Sequence, residues 1–230
     1  MRKQKLASDN IYHVYNRGVE KRDIFVDDKD YSRFISGAGL FNDINPAYNV
    51  GFRLKQSNIN SENQYVSERK LVDILAFCLM PNHFHLLLRQ KENNGISKFM
   101  NKIGVGYTNY FNLKYKRVGP LFQGAFKAVL IDKESQFLYI PYYIHLNPLD
   151  LKITNWKENG INKPKYAIEF IDSYRWSSHG DYIGKSDFRD IINKDILNEF
   201  FINPENYKKE LKNFMSNFDF SETKDLFIDY

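Results

Sequence analysis

Residues 71–79 read Leu-Val-Asp-Ile-Leu-Ala-Phe-Cys-Leu, and Met80-Pro81-Asn82 separates them from His83-Phe84-His85-Leu86-Leu87-Leu88. The first run has the length of a strand and is almost wholly apolar. That pattern belongs to a central strand covered on both faces. Pro81-Asn82 supplies a turn, so the two runs are expected to pair as an antiparallel hairpin. In the second strand, residues two apart share a face. His83 and His85 would stand side by side, with Phe84 and Leu86 turned away. Two neutral imidazoles so placed can ligate a metal, or they can be hydrogen-bonded parts of a half-buried strand. Spacing alone leaves both readings open.

The rest of the chain suits that hairpin. Ile11-Tyr12-His13-Val14-Tyr15-Asn16 is rich in β-branched and aromatic residues and reads as a strand. Asp27-Asp28 offers N-cap chemistry, and Tyr31, Phe34, Ile35 and Ala38 follow at helical spacing, which predicts a helix over 29–41. A second helix is expected from Asn94-Gly95 to Lys114. A strand follows over 125–131, and then a helix capped by Asp132 or Ser135 that stops before Pro148. Pro141 would kink that helix or mark a later start. The order β–α–β–β–α–β implies an α+β chain built on a ferredoxin-like antiparallel sheet with helices on one face, plus a helical C-terminal extension.

The expected organisation is a core over residues 1–150 and a partly helical extension over 151–230. Residues 42–69 are rich in Asn, Ser and Gln and read as a long polar insertion. Residues 149–164 read as a polar connector. Tyr174-Arg175-Trp176-Ser177-Ser178 is an aromatic patch, and helices are expected near 194–201 and 205–218. One cysteine, Cys78, rules out an internal disulfide and fits a reducing compartment. No apolar run reaches membrane-spanning length and no signal core follows the basic first residues, so a soluble, cytoplasmic protein with no membrane partner is expected.

Tyr143 and Asn147 are four residues apart and share one face of the expected fourth-strand-following helix. A hydroxyl nucleophile and an amide oxygen there could approach the histidine pair. A divalent metal would then have two imidazoles and one amide oxygen, with positions left for phosphate and water. That set suits phosphoryl transfer, because a phenol needs help to attack at neutral pH. The ligands leave the choice of Mg²⁺, Mn²⁺ or Zn²⁺ open. The alternative is an ordinary packed aromatic helix. His145 projects away from that face, and His13 and His179 read as structural or exposed.

Charge points to the substrate. The chain carries a net +5, and between Asn93 and Ile131 there is no acidic residue. The interval holds Lys98, Lys102, Lys114, Lys116, Arg117 and Lys127 among Tyr107, Tyr110, Phe111, Phe122 and Phe126. Basic groups neutralise phosphates and aromatics stack on unpaired bases. A solvated helix face over core aromatics is the plainer reading.

Five stretches occur in an order that resembles the single-tyrosine HUH transposases, and most closely the REP-associated tyrosine transposases. They are Tyr12-His13-Val14-Tyr15-Asn16-Arg17-Gly18, Leu79 to Leu87 around the histidines, Gly119-Pro120-Leu121-Phe122-Gln123-Gly124-Ala125-Phe126-Lys127, Tyr143-Ile144-His145-Leu146-Asn147-Pro148, and Tyr174 to Ser178. The resemblance implies a metal-binding pair at His83 and His85 and a nucleophile at Tyr143 that forms a 5′-phosphotyrosine bond. It puts a third polar ligand, with Asn in place of the more frequent Gln, at Asn147. It implies Mg²⁺ or Mn²⁺ as cofactor and single-stranded, hairpin-containing DNA as partner, and leaves a homodimer open. Arg17 and Gln123 join the basic residues as expected DNA contacts. The implied function is a transposase-like endonuclease and strand transferase. The alternatives are a domesticated DNA-binding protein without catalysis and a phosphodiesterase that uses water.

Overall fold

The computed structural model describes residues 6–48, 67, 69–185 and 187–217. The expected polar insertion therefore lies largely outside the described residues. Strands β1 (Ile11–Arg17), β2 (Val72–Met80), β3 (His83–Gln90) and β4 (Lys127–Ile131) form one sheet in the order β2-β3-β1-β4. Neighbouring strands run antiparallel throughout. This is the ferredoxin-like order expected from the sequence. β2 is buried along its whole length, as its apolar run requires, and a bulge interrupts its register between Ile74 and Ala76.

Two helices cover one face: α1 (Asp28–Phe41) and α2 (Gly95–Lys114). Asp27 caps α1 in a reciprocal box with Asp30. Phe34 of α1 packs against Phe84 of β3 and Tyr107 of α2, with ring centroids 5.0 and 5.3 Å apart. The two helices approach closely at Gly106, where an added Cβ would lie 2.5 Å from the Phe41 ring.

The opposite face carries α3 (Glu134–Leu146), which retains Pro141 inside it and runs into a 3-10 turn, Asn147–Leu151. The chain continues through α4 (Trp156–Asn159), α5 (Pro164–Ser173), α6 (His179–Tyr182), α7 (Asp195–Phe201) and α8 (Pro204–Asn217). The supposed polar connector thus holds structured turns. Trp156 within it is fully buried, because its indole N–H finds Asp150 Oδ1 at 2.6 Å.

The extension also closes the outer edge of β2. Leu79 N–H donates to Trp176 O at 2.9 Å, and Ser178 N–H donates to Phe77 O at 3.0 Å. Asn193 N–H donates to Ile74 O at 2.8 Å. At the start of the strand, the Asn42 amide bonds both the N–H and the C=O of Val72. The Tyr174–Ser178 patch is therefore an edge cover. A single hydrophobic cluster takes residues from Leu6 to Met215.

Candidate active site

Strand pairing builds one half of the site. β1 and β3 set Tyr15 opposite His85 and Arg17 opposite His83. Alternation turns Tyr12 and Val14 toward α1 and α2, and turns His13 and Tyr15 to the face that holds His83 and His85. His13 and His85 stack, with ring centroids 5.1 Å apart, and His83 meets His85 edge-on at 5.0 Å.

Each of the His83 and His85 rings meets a neighbour through Nδ1. His83 Nδ1 lies 2.6 Å from Asn82 Oδ1, an oxygen that only accepts, so Nδ1 carries the proton. His85 Nδ1 lies 2.8 Å from His13 Nε2. In both rings the contact uses Nδ1 and leaves Nε2 as the nitrogen for a ligand. Metal-binding histidines are commonly oriented this way, through a bond at their other nitrogen. Both rings are neutral at physiological pH. Burial pushes His83 down to about 4, and burial together with His83 and His13 holds His85 well below its ordinary value.

Helix α3 and the turns after it build the other half. Tyr143 is buried, with its ring edge-on to His85 at 5.9 Å and to His13 at 6.1 Å. Its neighbour Tyr142 points away and packs on Phe201, Tyr207 and Phe214. Asn147 follows one turn later. Its Nδ2 donates to Tyr143 O at 2.8 Å, while its Oδ1 is buried without a hydrogen-bond partner. Lys157 Nζ lies 5.3 Å from the centre of the Tyr143 ring and 2.9 Å from Asp150 Oδ2. Among the described residues, no three His, Cys, Asp or Glu side chains form a metal cage. Any cation here would therefore depend on the two imidazoles, an amide oxygen and ligands from outside the chain.

The expected DNA contacts divide between two places. Arg17, Gln123 and Lys127 line one cavity of about 300 Å³ together with Tyr15 and Asn16. Arg17 donates to Gln123 Oε1 at 3.1 Å, and Lys127 sits 5.9 Å from the Tyr15 ring centre. Tyr15 in turn is 6.0 Å from His85, so this cavity adjoins the histidines. Lys98, Lys102 and Lys114 lie on α2, across the sheet. Lys98 and Lys116 are exposed. Lys102 is engaged with the carbonyl oxygens of Asp43 and Asn45, and Arg117 with Asn112. Lys114 bonds Asp27 and the buried Asp30, both at 2.7 Å.

Three residues near Tyr143 and His85 stand outside the set that the sequence singled out: His13, Asp150 and Lys157. His13 is 72 positions from His85, and only strand register joins them. His145 lies off this face, as its spacing implied, in a buried chain of hydrogen bonds with Tyr207 and Ser178. His179 belongs to the same chain through Tyr207 and Asp172.

Residues 53–147 match the family model described as Transposase IS200 like. The matched stretch contains both histidines, Tyr143 and Asn147. No curated protein matches the chain. One solved structure that aligns with it is a REP-associated tyrosine transposase bound to a REP hairpin, at 10% identity and a TM-score of 0.48, covering 85% of this chain and 92% of that one. No helix among the described residues is long and apolar enough to cross a membrane.

Proposed function

We propose that this chain, whose residues 53–147 carry the signature of the IS200-like transposases, is a metal-dependent endonuclease and strand transferase for single-stranded DNA with Tyr143 as its nucleophile. The observation that carries the reading is the placement of the Tyr143 ring against His85 and His13, where both ligand histidines spend Nδ1 on an orienting contact.

The donor set suits a divalent cation. His83 and His85 are neutral imidazoles and Asn147 Oδ1 is a buried oxygen in want of a partner. These three residues would hold Mg²⁺ or Mn²⁺. Bound there, the ion would draw charge from the scissile phosphate and orient it. Tyr143 is buried against the His85 and His13 rings, which holds the phenol in one place. The Tyr143 oxygen attacks phosphorus, the bond from phosphorus to the 3′ oxygen breaks, the phenolic proton leaves to water, and the released oxygen takes up a proton to become a 3′-hydroxyl. The 5′-phosphotyrosine left behind conserves the bond, so another 3′-hydroxyl can reverse the step on a new strand. Arg17, Gln123 and Lys127 line the path of the strand beside the histidines, and Lys98 and Lys116 meet phosphates further out.

The test is a single-stranded oligonucleotide carrying a hairpin, incubated with the full chain and Mg²⁺ or Mn²⁺ and resolved on a denaturing gel. A covalent protein–DNA species is expected from the wild type and from Tyr142→Phe, and none from Tyr143→Phe, which still binds DNA. An adduct at wild-type level in Tyr143→Phe defeats the assignment. Cleavage without any covalent species would make water the nucleophile, and binding without cleavage would make the chain a DNA-binding protein.

A further inference from the structure

We infer that Lys157, clamped by Asp150, is a positioning residue for Tyr143: a fixed cation that orients the phenol and offsets the negative charge that builds at phosphorus during attack. The inference rests on the reading of Tyr143 as nucleophile and adds a residue to it.

The argument from structure begins with cost. A lysine ammonium is expensive to bury. The Lys157 side chain is only 16% exposed, in a short helix where an apolar residue would anchor the fold more cheaply. Burial draws its pKa down, and Asp150 opposes that loss both by charge and by hydrogen bond. Asp150 is itself fixed, since its other carboxylate oxygen receives the Trp156 indole N–H at 2.6 Å and Trp156 is fully buried. The clamp therefore holds one positive charge at one place.

That place is the face of the nucleophile. Lys157 Nζ sits 5.3 Å from the Tyr143 ring centre, within the range of a cation–π contact, which is strongest where water is excluded. The ring is gripped from three directions, by Lys157, His85 and His13. The field of Lys157 also reaches His83 and His85. A pentacoordinate phosphorus formed between Tyr143 and the histidines carries more negative charge than the diester did, and a preorganised cation beside it lowers the barrier. Lys157 transfers no proton in this step. The O–P bond forms at Tyr143, the P–O3′ bond breaks, and the protons exchanged pass through water.

A merely structural lysine would alter stability alone, so the test separates rate from folding and binding. Lys157→Met and Lys157→Arg are compared with wild type in single-turnover adduct formation at saturating hairpin DNA, with Kd for the same DNA and thermal melting measured in parallel. Lys157→Met is expected to lose about ten- to thirtyfold in rate with Kd changed by less than about twofold. Lys157→Arg, which keeps the charge, is expected to recover most of the loss. A Lys157→Met rate within about twofold of wild type overturns the inference, as does a loss that Lys157→Arg fails to recover. If Lys157→Met does not fold, Asp150→Asn replaces it: release of the clamp lowers the rate at unchanged Kd, and an unchanged rate overturns the inference. Tyr143→Phe in the same assay separates the two claims. An adduct persisting there refutes the nucleophile, and with it the role of Lys157, whereas a dead Tyr143→Phe beside a fully active Lys157→Met refutes Lys157 alone.

Discussion

Replacing Tyr207 by Phe removes one oxygen and leaves every ring contact in place. That oxygen joins two buried histidines, 2.7 Å from His145 Nδ1 and 3.1 Å from His179 Nδ1. The direction of each bond follows from its neighbours. Asp172 accepts from His179 Nε2, so His179 Nδ1 is an acceptor and the Tyr207 hydroxyl donates to it. The Tyr207 oxygen then accepts from His145 Nδ1, and His145 Nε2 accepts from Ser178 Oγ at 2.7 Å. Ser178 Oγ in turn receives the Phe77 N–H. With the Ser178 hydroxyl donating to His145, in preference to its longer 3.3 Å contact with Phe77 O, the chain runs one way from β2 to Asp172, and both histidines are neutral in it. Burial draws both below their ordinary range. Tyr207→Phe strands one donor and one acceptor. Each unsatisfied buried group costs about 1–3 kcal/mol, so the loss should be about 2–6 kcal/mol. For a chain of this size that is a fall in Tm of about 4–24 °C. Urea denaturation followed by circular dichroism measures it, with the exposed Tyr166→Phe as reference. A loss below about 0.5 kcal/mol would refute the one-way ladder and mean that water or a rotated Ser178 serves the two rings.

Acid should destabilise the fold through its histidines. His83, His85, His145 and His179 all have pKa values lowered in the folded chain, His83 to about 4, from 6.5 when unfolded. Their contribution is complete above about pH 6.5 and is lost as the pH falls, because the unfolded chain then binds more protons. The urea midpoint should drop between pH 6.5 and 4, with His83 alone giving a slope of up to about 1.4 kcal/mol per pH unit; a flat profile would contradict the burial of these rings. Two lysines of the acid-free interval should part company. Lys114→Met leaves Asp30 buried without its cation and should cost about 3 kcal/mol or more in stability. Lys127→Met should leave stability alone and lower the salt dependence of DNA binding by about one phosphate contact. Equal effects of the two on salt dependence would show that both meet DNA.

Much of this architecture was legible because it is periodic. The helix over 29–41 and the structural α1 (Asp28–Phe41) differ by one residue, and the hairpin around Pro81-Asn82 lies where its apolar runs place it. Tyr143 and Asn147 could be paired from spacing, since both belong to one helical stretch. His13 could not be joined to His85, because a cross-strand register carries no local mark. Lys157 and Asp150 were hidden for another reason. They lie in a stretch whose polar composition reads as connector, and they are half-buried beside Trp156, whose indole bonds Asp150. Helix α5 leaves little mark in the sequence although Pro164 opens it, since only Ala167 and Ile171 bury in it. The interval around Lys114 holds no acid, yet Asp27 and Asp30, 87 and 84 positions away, take up its charge.

The cover over the outer edge of β2 has a consequence for how this protein can be lost. Leu79, Phe77 and Ile74 each have a backbone group paired with residues of the extension. A chain ended near residue 150 would keep the histidines and Tyr143, yet it would present a long apolar strand with an unpaired ladder. Such an edge recruits other strands, and aggregation is the expected fate. A stop between residues 150 and 176, which removes all three of these bonds, is therefore expected to yield aggregated chain in place of a smaller folded domain.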